Sequence, residues 1–80
     1  MTLPPDPEGM NGPRATWANA AIEVFIDTTG TDFEDSLGDL LCDLMHWADR
    51  YDFDFNAALE TARDHYTEET GGMPWQTPAV

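Results

Sequence analysis

Four side chains in the middle of this 80-residue chain stand at spacings that permit chemistry: Asp35, Asp39, Asp43 and His46, within DSLGDLLCDLMHW. On a helix of 100° per residue the three aspartates climb one side in steps of four, about 6 Å apart along the axis. His46 and Arg50 share their sector. Asp39, Asp43 and His46, at i, i+4 and i+7, form a mixed carboxylate–imidazole set that suits manganese, iron or zinc better than calcium. One helix rarely completes a coordination shell, and the only other imidazole, His65, sits beside Tyr66 where it reads as partly packed. The same carboxylates have a second use as a fixed array of negative charge. Like charges at this spacing cost about 0.2–0.5 kcal/mol per pair, and aspartate is a poorer helix former than glutamate. The column is not there to stabilise its own helix.

The rest of the chain amplifies that charge. Sixteen acidic residues face three arginines and no lysine, for a net charge of −13. Fourteen of the sixteen lie between Glu23 and Glu69, opposed there by Arg50 and Arg63. Such a field repels nucleic acid and anionic membrane. It draws in a basic surface quickly and with steep salt dependence. Basic grooves mostly hold nucleic acid, whose duplex carries one negative charge per ~1.7 Å of axis, and a rigid acidic helix can stand in for those phosphates. On this reading the partner-binding residues are Asp35, Asp39 and Asp43, with Asp32, Glu34 and Asp49 beside them. The competing reading is compositional: lysine is absent and aspartates outnumber glutamates, so the run is a solvated face with no further role.

Catalysis is not expected. Ser36 and Cys42 are not arranged with a base; Ser36 falls in the first turn of its helix and Cys42 on the polar side, opposite Phe33. No cofactor is implied.

The elements that must hold this column are three. The hydrophobic content of 41% and aromatic content of 11% are those of a folded chain. Residues 1–12, with Pro4, Pro5, Pro7, Gly9 and Gly12, read as a flexible arm, and 71–80 (GGMPWQTPAV) as a C-terminal tail whose glycines end any helix. Between them, 13–70 reads as one domain. A first segment from Pro13 to Thr29 has proline at a favoured first position and Gly30 as its left-handed stop. Its apolar spacing runs through Trp17, Ala21, Val24 and Thr28, against a rival strand reading from Ile22, Val24 and Ile26. The second opens on Thr31-Asp32-Phe33-Glu34, a capping box, and runs to Arg50 or Tyr51. Phe33, Leu37, Leu40, Leu41, Leu44, Trp47, Ala48 and Tyr51 form its wide apolar face. The third has Asp54 as N-cap and carries Phe55, Leu59, Ala62 and Tyr66 to about Thr70. Two short connections imply a small all-α, antiparallel three-helix bundle. Ile26 and Phe53 fit these stripes poorly and are candidates for a surface used in self-association or docking; monomer and homodimer stand equal.

A single cysteine forbids an internal disulfide and suits a reducing compartment. There is no signal-peptide pattern and no run of ~20 apolar residues. A cytoplasmic protein is expected.

Two resemblances bear on these residues. From Arg14 to Glu69 the chain resembles short bacterial and mobile-element proteins with a DLLxDLMHW…DFxxAL…HY signature, here DLLCDLMHWADRYDFDFNAALETARDHY at 39–66. That implies an origin near phage, plasmid or integrated elements, and by analogy the character of anti-CRISPR and other anti-defence inhibitors that act by binding. The stretch from Asp35 also resembles MazG-type nucleotide pyrophosphohydrolases, all-α enzymes that bind magnesium through ExxE…ExxD on two helices. Asp35 and Asp39 would match the second acidic pair. Ser36 stands where the nearer acid is expected, and the first segment offers only Glu23 and Asp27. A metal-dependent nucleotide-hydrolase-like remnant, using the Asp/His face, is therefore the alternative to a nucleic-acid-mimic inhibitor.

Overall fold

The computed structural model describes residues 2–72 and shows an all-α chain of three helices: α1 (Asn11–Thr29), α2 (Ser36–Tyr51) and α3 (Phe55–Glu69). A 3₁₀ turn over Phe33–Asp35 leads into α2. Trp75 and the rest of the tail from residue 73 lie outside the described residues. No described helix is long and apolar enough to cross a membrane.

α1 begins two residues earlier than its proline suggests. Pro13 is the third helical residue, still within the first turn, where a missing N–H leaves no bond unmade; the first helical bond runs from the Arg14 amide to the Met10 carbonyl, 3.0 Å. Asp6, from the arm, accepts from the Asn11 amide at 3.3 Å and supplies a cap from outside the helix. Gly30 ends α1 as expected, at φ 72° with its amide on the Ile26 carbonyl at 2.8 Å. The strand reading of Ile22–Ile26 is excluded, since helix continues through all of it.

The side of α1 that packs differs from the expected stripe. Ile22, Phe25 and Ile26 are half-buried, whereas Trp17 and Val24 are exposed. Apolar residues ring this helix, so periodicity alone could not select the face that docks.

The capping box at Thr31 does not form. The 3₁₀ turn intervenes, with extended Asp32 ahead of it, and no side chain caps either Asp32 or Asp35. The Thr31 hydroxyl donates instead to Asp39 Oδ2. At the other end of α2, Asp52 adopts the left-handed conformation (φ 61°) and the Phe53 amide returns to the Ala48 carbonyl at 2.9 Å. α3 is capped as expected, Asp54 Oδ1 accepting from the Ala57 amide at 3.0 Å. Gly71 and Gly72, both at positive φ, end it.

The end of α3 returns to the start of α1. Asn11 Nδ2 donates to the Glu69 carbonyl at 2.8 Å, and Arg14 pairs with Glu69 (3.4 Å) and with Glu8 of the arm (3.2 Å). Leu3, Pro4, Tyr66 and Thr70 join Arg14 around an open cavity of about 470 Å³ at this corner.

What the three helices do not enclose is a full core. Ala48 is the one buried apolar side chain among the described residues, at 4% exposure, alongside buried Ser36 and Thr70. Both hydroxyls turn back onto their own helical backbone, Ser36 to Phe33 and Thr70 to Tyr66, each at 2.8 Å. Of the eight apolar positions expected to face inward from the second segment, only Leu40 and Ala48 are covered; Phe33, Leu37, Leu41, Leu44, Trp47 and Tyr51 remain exposed.

Candidate functional site

The acidic column is carried by α2 and the turn before it. Asp35 ends the 3₁₀ turn, and Asp39 and Asp43 follow on the first turns of the helix. All three are exposed, as are the other candidate contact residues Asp32, Glu34 and Asp49. Asp49 lies on the same broad polar side, toward the far end of the helix from Asp35.

The column is not wholly outward. The end of α1 lies along it, so that Phe25 and Thr29 face Asp39, Cys42 and Asp43 across a shallow cleft that Thr31 closes at one end. Thr31 fixes Asp39 by its hydroxyl while leaving the carboxylate charge in place. That contact spans eight residues across a turn, whereas the sequence pattern points Thr31 to a cap. The only local clue was a hydroxyl just before an aspartate column.

Arg14 and Arg50 do not pair with the column's carboxylates in any contact shown. Arg14 serves the corner with Glu8 and Glu69, and Arg50, though in the column's sector, donates to the His46 carbonyl at 3.2 Å. Fifteen of the sixteen acidic residues are exposed; Glu69, beside Arg14, is the half-buried exception. Negative charge is thus displayed over most of the surface, with α2 as its most regular part.

Asp39, Asp43 and His46 do not converge into a metal centre. Among the described residues no three His, Cys, Asp or Glu side chains are grouped to hold an ion. One helix face supplies too few ligands alone, and α1 brings Phe25 and Thr29 to this side in place of further ones. Glu23 is occupied by Asn19 at 3.1 Å. His65 is exposed, not packed. Cys42 is a free, exposed thiol.

A second feature escaped the sequence. Trp47 stacks between Tyr51 (centroids 4.9 Å, 23°) and Phe53 (5.0 Å, 20°) on the exterior of the α2–α3 turn. Phe53 follows left-handed Asp52, which turns its ring back over α2. No α-helical periodicity places it there.

Comparison with models of known families, with curated proteins and with solved structures finds no match.

Proposed function

We propose that this is a non-catalytic acidic binding protein that occupies the basic groove of a nucleic-acid-binding protein, an inhibitor of anti-defence type. The observation that carries the reading is the exposed column Asp35–Asp39–Asp43, whose charges the arginines of the corner and of α2 do not take up. Asp39 and Asp43 stand about 6 Å apart along α2, with Asp35 on the turn that leads into it, a stiffer display than an acidic tail provides. A groove built to neutralise phosphates would meet a surface of the same sign, and steering by the −13 field would speed encounter.

The test is competition. Against a panel of basic nucleic-acid-binding proteins, the chain should displace labelled duplex DNA from one or more of them, with apparent affinity falling about tenfold or more as salt rises toward physiological levels and beyond. Asp39→Asn with Asp43→Asn should weaken that displacement several-fold, in line with up to ~1 kcal/mol for each exposed charge pair. Equal displacement by the double variant, or indifference to salt, removes the reading.

A further inference from the structure

We infer that the apolar face of α2 is the docking surface for a second copy of this chain. Leu37, Leu41, Leu44, Ala48 and Tyr51 repeat at alternating steps of four and three residues, the 3.5-residue spacing by which one helix seats against another. Ala48 is already covered. The other four are 41–64% exposed, and Met45 and Trp47 widen the same patch at 51% and 46%. One buried apolar side chain among the described residues is short of the burial that a chain of this size needs. Six large apolar side chains, each 41–64% exposed, lie on this one patch, the kind of contiguous apolar surface that a standard interface of ~800 Å² per partner covers. Copying the fold about a two-fold axis supplies the missing cover with no new sequence.

Charge placement selects a second copy over a basic partner. The repeating positions of the face carry no charged residue, so nothing there would recognise a cationic protein. Asp35, Asp39 and Asp43 lie at least about 100° round α2 from Leu37, Leu41 and Leu44. Two copies joined through the leucines therefore keep their acidic columns apart and outward. Their remaining repulsion is long-range and screenable, with a Debye length of ~10 Å at 0.1 M salt. Salt should thus strengthen this association while it weakens capture by a basic groove. The two surfaces occupy different sides of one helix, and failure of either leaves the other standing.

Sedimentation of the full chain over a wide concentration range decides the matter. The expected result is a species of twice the 8.9 kDa chain mass, with a melting temperature that climbs with concentration, as dimer formation requires. Its dissociation constant should tighten as salt rises. Leu37→Glu and Leu44→Glu should each weaken the dimer by roughly tenfold or more, since each buries a charge in an apolar interface. Val24→Glu, equally exposed but on α1 and outside the repeating face of α2, should leave it unchanged. A folded monomer at every concentration, melting at constant temperature, overturns the inference, whether residues 73–80 or another protein then cover the face. So does a dimer indifferent to both leucine substitutions. If glutamate unfolds the chain, the concentration series of the unaltered protein settles the question alone.

Discussion

Asp52 holds a left-handed conformation that aspartate tolerates better than most residues but glycine adopts without strain. Replacing it with glycine should raise stability by up to about 1 kcal/mol, and replacing it with valine should lower stability by about 1–2 kcal/mol; urea titration followed by circular dichroism measures both. Asp54 is the opposite case, a residue whose side chain does the work. Its carboxylate takes up the otherwise unpartnered Ala57 amide, so Asp54→Ala should cost about 1 kcal/mol in the same titration. At this scale the chain was unevenly legible. Gly30 and Asp54 announce their roles because left-handed stops and N-caps are local and strongly residue-specific. Thr31 did not, because a hydroxyl two residues ahead of a 3₁₀ turn can serve either a cap or a side chain eight residues further on, and only the path of the turn decides.

At the level of the elements, α2 sets stability against display. Asp39 and Asp43 repel one another at i, i+4, and amide substitution at both should stabilise the folded chain by a few tenths of a kcal/mol while weakening partner displacement. Opposite signs in one variant, read by melting and by competition, would separate a functional array from a decorative one. Paired losses would instead mark the aspartates as structural, through the Thr31 contact on Asp39. The end of α2 at Tyr51 and the start of α3 after Asp54 were readable, since apolar spacing and the Asp54 cap mark them; the start of α2 was not, because the 3₁₀ turn over Phe33–Asp35 takes the place of the expected capping box. The packing face of α1 was not, since Trp17, Val24, Ile22, Phe25 and Ile26 surround that helix and favour no single direction. Nor could the sequence show that the leucines of α2 would stay open. A wide apolar face states only that something must cover it, not that the same chain will.

Over the whole molecule the governing quantity is self-repulsion. Fifteen exposed carboxylates on a small body oppose compaction, so added salt should raise the melting temperature. Each 1 kcal/mol gained is worth about 4–8 °C in a domain of this size, and a scan from low to roughly 0.5 M salt reads the effect directly. A fall with salt would mean that short-range ion pairs such as Arg14–Glu69 outweigh the global field. That same corner carries a topological consequence. Because Asn11 and Glu69 are in hydrogen-bond contact, the helical body begins and ends at one place. A short peptide tying Thr70 to Met10, with new termini cut between Gly30 and Thr31, would yield a circularly permuted protein retaining every helix intact.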